Sequence, residues 1–149
     1  APDGTWTIRT EKREKGNAGS LKLPKLALDV IKAQPRLASN DHIFAGHKGA
    51  QFFKQDRKDA LDKTSGVTGW RIHDLRRTSR SLLSRAGVRP DIAEKVLGHA
   101  AGNIESIYDR HSYSEEKAGA LRRLAVLIER IVHGPPGGNE VELHEAAAS

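Results

Sequence analysis

Two short segments near the start of the chain, Trp6-Thr7-Ile8-Arg9 and Ser20-Leu21-Lys22-Leu23, alternate apolar and polar residues with a period of two. They flank a stretch rich in Lys, Gly and Asn, so the pattern predicts a β-hairpin with a basic tip. Pro24 then opens a helix in which Leu26, Leu28, Val30 and Ile31 form an apolar side, and Pro35 ends it. His42-Ile43-Phe44-Ala45-Gly46 is a short apolar run, a loop or strand fragment. Phe52 to Lys63 has helical character, and Thr64-Ser65-Gly66-Val67-Thr68-Gly69 breaks it.

From Ile72 onward the pattern is almost wholly helical. Asp74 to Ala86 places Leu75, Ser79, Leu82, Leu83 and Ala86 on one face, with Gly87 as terminator. Pro90, at a first-turn position, starts a helix that packs through Ile92, Ala93, Val96 and Leu97 and stops at Gly98. A short segment around Ile104, Ile107 and Tyr108 follows. Ser114 is expected to cap a long helix whose first turn carries Glu115 and Glu116, where the helix dipole favours acids. Its stripe of Leu121, Leu124, Ile128 and Ile131, with Ala125 and Val132 alongside, must be buried somewhere. Gly134-Pro135-Pro136-Gly137-Gly138 breaks it and leaves a flexible tail. No internal repeat is present. Hairpin first and helices after predict a mainly α-helical α+β fold, with residues 1–133 as one domain and 134–149 as the tail.

At 149 residues the chain is long enough for one domain with a core. It contains no cysteine, which excludes disulfides, thiolate metal sites and a cysteine nucleophile. No apolar run approaches the roughly 18 to 20 residues a membrane-spanning helix needs. The chain opens at Ala1 without methionine or a signal-peptide core, and is read as a piece of a longer protein. Residues 1–133 hold all 25 Lys and Arg and 16 of the 19 acids, a net +9. Such a body favours a polyanion, nucleic acid before anionic membrane.

The chemistry-bearing residues fall in the helical half: His73-Asp74-Leu75-Arg76, then Leu97-Gly98-His99, then Tyr108 nine residues beyond His99. The stretch GWRIHDLRRTSRSLLSRAGVRPDIAEKVLGHAAGNIESIYDRHSY resembles the tyrosine recombinase (phage integrase) family in order, spacing and apolar pattern. That family's C-terminal catalytic domain carries an H-x-x-R helix start, an L-G-H turn and a tyrosine nucleophile nine residues after that histidine. The resemblance covers roughly residues 5–132 and looks closest to integrases of phages and genomic islands.

It implies site-specific DNA recombination and integration. Metal-free cleavage of a phosphodiester needs a nucleophile, positive charge on the non-bridging oxygens and a proton for the departing 5′ oxygen. By resemblance Tyr108 attacks the scissile phosphate and becomes linked to the 3′ end, which conserves the bond energy for rejoining without ATP. Arg76 grips a non-bridging oxygen with planar, permanently charged donors. His73 is the general base or phosphate donor, and His99 donates a hydrogen bond to a phosphoryl oxygen. A lysine on the hairpin protonates the leaving oxygen; Lys15 lies nearest that place, with Lys12 as competitor. Lys12, Arg13, Arg77 and Arg110 are assigned to DNA-backbone contacts, the last two alternatively to structural pairing. The resemblance calls for no cofactor and no metal, and implies double-stranded DNA as partner. It further implies a homo-tetramer on that DNA and a cytoplasmic, nucleoid-associated protein. The family's further arginine, in a T-G-x-R-like motif upstream of the hairpin, has no counterpart; Arg9 lies in a strand and does not match. Activity is therefore expected of the parent protein rather than of this stretch alone.

Other readings are weaker. Tyr113 rivals Tyr108 but stands fourteen residues after His99, which breaks the spacing. His42, His47 and His111 invite a metal reading, yet their spacing fits no helical pair. Ser79 and Ser84 lack a nucleophile turn such as G-x-S-x-G. Trp70 is expected to pack in the core. The second function class is a non-catalytic basic DNA-binding module, either a helix-turn-helix regulator or a decayed integrase. Such a regulator has no reason to keep His73, Arg76, His99 and Tyr108 together. For the final helix, packing onto a neighbouring protomer is the sharper hypothesis and packing onto its own domain nearly its equal.

Overall fold

The computed structural model describes residues 4–8, 19–46, 49–51, 53–98 and 112–134. Strand β1 (Thr5–Ile8) pairs antiparallel with β2 (Gly19–Lys22), Thr5 facing Lys22 and Ile8 facing Gly19. This is the predicted hairpin; its tip, with Lys12, Arg13 and Lys15, lies outside the described residues. Helix α1 (Lys25–Lys32) follows, with the extended Pro24 as its N-cap. It ends ahead of Pro35, where the Ala33 amide donates to the Asp29 carbonyl and Gln34 Nε2 caps the Val30 carbonyl at 3.0 Å. The apolar run at residues 42–46 resolves into strand β3 (Ala45–Gly46), paired with β4 (Gly49–Ala50). Asn40 Nδ2 braces that pair by donating to the carbonyls of Gly46 and Gly49 at 2.9 and 2.8 Å.

Helix α2 (Gln55–Ser65) starts later and ends later than the sequence pattern suggests. Phe53 precedes it and faces Trp70, with ring centroids 6.4 Å apart. At the other end the Thr64 and Ser65 hydroxyls donate to the carbonyls of Ala60 and Leu61, at 2.9 and 2.8 Å. These turn-back bonds extend the helix over residues whose type signals a loop. Trp70 is half-buried rather than a core residue: its Nε1 donates to Asp62 at 2.8 Å, and Lys58 lies over its ring at 4.8 Å. Lys58 also pairs with Asp62 at 2.6 Å, both side chains only 15% exposed, so this trio pins α2 to the segment leading into the next helix.

Helices α3 (Ile72–Arg85), α4 (Pro90–Leu97) and α5 (Ser114–His133) form the main body. Leu83, Val88, Ile92, Ala93 and Ala120 make its core, with Ala86, Val96, Leu97, Tyr113 and Leu124 packed around them. Gly87, at φ 70°, provides the left-handed residue that ends α3 and turns the chain into α4. The expected face of α3 is only partly buried. Leu83 is fully enclosed, whereas Leu75 is 56% exposed, because Leu75 lies two turns nearer the helix start than the core that α4 and α5 cover.

Helix α5 departs from expectation twice. Its N-cap is Tyr113, not Ser114; Tyr113 adopts φ 49°, and its carbonyl accepts from the Lys117 amide at 2.9 Å. Its buried residues are Ala118, Ala120 and Ala125; of these Ala120 belongs to the core shared with α3 and α4, and Ala125 lines the side toward α1 and the hairpin. The larger Leu121, Leu124 and Ile128 are half-buried and, with residues of α1 and the hairpin, line a cavity of about 1060 Å³. Ile131 is exposed. In this single chain α5 thus packs in cis, on α3, α4, β2 and α1. Among the described residues no helix is long and apolar enough to cross a membrane.

Leu83→Ala removes the one large side chain that is fully buried among the described residues. It is expected to cost about 2–5 kcal/mol of unfolding free energy, read from the denaturant midpoint. A loss below about 1 kcal/mol would place the core elsewhere.

Candidate active site

The site is built on the first two turns of α3 and the last turn of α4. The extended Arg71 is the N-cap of α3, and its amide donates to the carboxylate of Asp74 at 2.9 Å. That bond satisfies one of the helix's otherwise unpaired N-terminal groups and holds the Asp74 carboxyl below its usual range, with Arg77 and His73 adding positive charge nearby. His73 is the second residue of the helix and is exposed to solvent. Arg76, three residues on and on the same side of the helix, is half-buried.

Arg76 does not extend into solvent. Its Nη2 donates to the carbonyl of Leu97, across a sequence separation of 21 residues. Leu97 is the last residue of α4, whose terminal carbonyls have no partner within the helix and carry the negative end of its dipole, so a guanidinium is well placed there. Gly98 follows at φ 70°, the left-handed conformation that turns the chain out of α4 toward His99. The H-x-x-R helix start and the Leu97-Gly98 half of the second motif are thereby joined by a hydrogen bond.

Arg77 is exposed and pairs with Asp74 at 3.3 Å, the structural pairing considered for it. Tyr113 is half-buried against the core, with Lys95 Nζ 4.2 Å from its ring centroid. His99, Tyr108 and Arg110 lie outside the described residues, as do Lys12, Arg13 and Lys15 of the hairpin. Of the three histidines weighed as metal ligands, His47 and His111 also lie outside them. His42 lies within, and its ring Nδ1 is 2.9 Å from Asn40 Oδ1.

Sequence reasoning missed one pair beside the site. Arg80 Nε donates to Glu94 at 2.6 Å, and Arg80 Nη1 donates to Ser84 at 2.6 Å, tying α3 to α4 one turn below Arg76. The available signal was weak: Arg80 stands four residues after Arg76, on the same helix face.

The phage integrase family model matches residues 2–115, from the hairpin through α4 to the start of α5. This is well over half of the chain. The chain belongs to the phage integrase family. No curated protein and no solved structure matches it significantly. Members of the family are tyrosine recombinases, so the chain's class is site-specific DNA recombination and its substrate is DNA. The mainly helical α+β architecture agrees with a catalytic domain of that family.

The lowered Asp74 carboxyl has a pH consequence. Its ionised form stabilises the folded chain fully above the unfolded carboxylate range, about 3.9, and that contribution fades as pH falls through the lowered folded value. Urea midpoints of the native chain and Asp74→Asn should therefore differ at pH 7 and converge in acid. A pH-independent gap would assign the effect to hydrogen-bond geometry instead of charge.

Proposed function

We propose that the full-length gene product carrying this integrase-family chain cleaves and rejoins DNA without a metal, through a 3′-phosphotyrosine formed by Tyr108. In this reading Arg76 and His99 hold the two non-bridging oxygens of the scissile phosphate, and His73 serves as general base or phosphate donor. Lys15, or Lys12, protonates the departing 5′ oxygen. Lys12, Arg13, Arg77 and Arg110 contact the DNA backbone, Arg77 from the exposed start of α3. Residues 1–133 form part of the catalytic domain and 134–149 a flexible tail, and the working form is a homo-oligomer on two DNA sites. No cofactor enters the reaction.

The observation that carries this reading is the junction of Arg76 with the end of α4. A permanently charged planar donor is held two residues before His99, with His73 one turn away on the same helix. A helix-turn-helix regulator needs neither the histidine spacing nor an arginine committed to that turn. Incubating the full-length gene product with a nicked duplex bearing its attachment site tests the proposal. A covalent protein-DNA adduct that survives denaturant and is lost in Tyr108→Phe is expected. DNA binding with no adduct at any attachment sequence would favour the non-catalytic module.

A further inference from the structure

We infer that Arg80 and Glu94 form a positioning clamp: their ion pair sets α4 against α3 in the register that brings the Leu97 carbonyl to Arg76. The inference rests on the proposed role of Arg76 at the scissile phosphate, which it deepens.

Contacts between the two helices run in opposite chain order. Leu83 packs with Ile92 and Ala93 in the core, Arg80 meets Glu94, and Arg76 meets Leu97. The buried apolar side chains of α3 end at Leu83. Toward the start of the helix the links to α4 are increasingly polar, and Leu75 and Ile72 are exposed. At the end that carries His73 and Arg76, directional bonds therefore have to define the register.

Arg80 is suited to that task because its guanidinium is already fixed on its own helix. Nη1 donates to Ser84 one turn on, and Nε is thereby aimed at Glu94 with a 2.6 Å bond. The pair is partly open to solvent, 30% and 41% exposed, and such pairs contribute little to stability. Its effect is geometric. Small displacements of a phosphate-binding group are costly to a reaction that depends on alignment.

The test uses the whole chain and reads the Arg76 side chain directly by nitrogen-edited NMR, with Arg76→Lys to assign its signal. In the native chain one ordered, slowly exchanging Arg76 guanidinium is expected, and inorganic phosphate should shift it. Arg80→Ala should broaden or lose that signal and weaken phosphate on the order of 10-fold, the scale of one charge-assisted hydrogen bond, with the thermal midpoint nearly unchanged. Glu94→Gln, which keeps the shape and removes the charge, should act in the same direction. The double exchange Arg80→Glu with Glu94→Arg should restore the signal. A purely structural role would move the midpoint and the signal together. An Arg76 signal that stays ordered in both single variants overturns the clamp. Phosphate that shifts nothing in the native chain counts against the anion site, and the clamp is then decided by the Arg76 signal alone. Should Arg80→Ala fail to fold, Glu94→Gln and the exchanged pair still decide the matter.

Discussion

Tyr108→Phe in the full-length gene product should abolish covalent capture of DNA while leaving binding intact. On the proposed mechanism the phenolic oxygen forms the bond to phosphorus, and phenylalanine keeps the ring while removing that atom, so no residual pathway to an adduct exists. Binding rests on the basic side chains, which the substitution leaves unchanged, and on phosphate contacts that dominate protein–DNA affinity. Tyr113→Phe is the necessary contrast. Tyr113 is held at φ 49° as the N-cap of α5, half-buried against the core with Lys95 over its ring. Phenylalanine preserves the ring and the cation contact, so Tyr113→Phe should keep the adduct yield. Adducts that persist in Tyr108→Phe and vanish in Tyr113→Phe would reverse the assignment.

The fold was legible wherever local chemistry sets the backbone. Pro90 at the start of α4, Gly98 past its end and Gly87 after α3 each mark a boundary by conformation, and the alternating residues of the hairpin mark its strands. It was less legible where tertiary contact decides. The pattern on α5 draws attention to Leu121, Leu124, Ile128 and Ile131, with Ala125 alongside, but the buried positions are Ala118, Ala120 and Ala125, while Leu121, Leu124 and Ile128 are half-buried and Ile131 is exposed. Ser114 is the better cap by type, yet the left-handed turn falls one residue earlier, where the Tyr113 ring is anchored by Lys95 and the core. At the site, the motif spacing identified Arg76 and the Leu97-Gly98 turn, while nothing in the spacing says that the two are bonded. That tie, like the Arg80–Glu94 pair beside it, depends on how α3 crosses α4 and has no signal within either helix.

Arg76→Ala is expected to lower the rate of strand cleavage on the order of 100-fold to 1,000-fold, the usual consequence of removing one preorganised donor to developing charge. The fold should persist, because the core at Leu83, Ile92, Ala93 and Ala120 lies two turns away from the substitution. Arg76→Lys is the more informative variant. A guanidinium presents five N–H donors in a fixed plane, so one edge can stay on the Leu97 carbonyl while another meets a phosphate oxygen. An ammonium is a single point of charge on a flexible stem and cannot hold both partners in one geometry. Lysine should therefore retain most of the DNA affinity, which depends on charge, and recover little of the cleavage rate, which depends on alignment. Single-turnover cleavage with a metal chelator present should match the rate without it, since the proposed reaction draws its positive charge from side chains. Near-native cleavage in Arg76→Ala would remove Arg76 from the transition state, and full recovery in Arg76→Lys would show that charge alone, without the bond to Leu97, is sufficient.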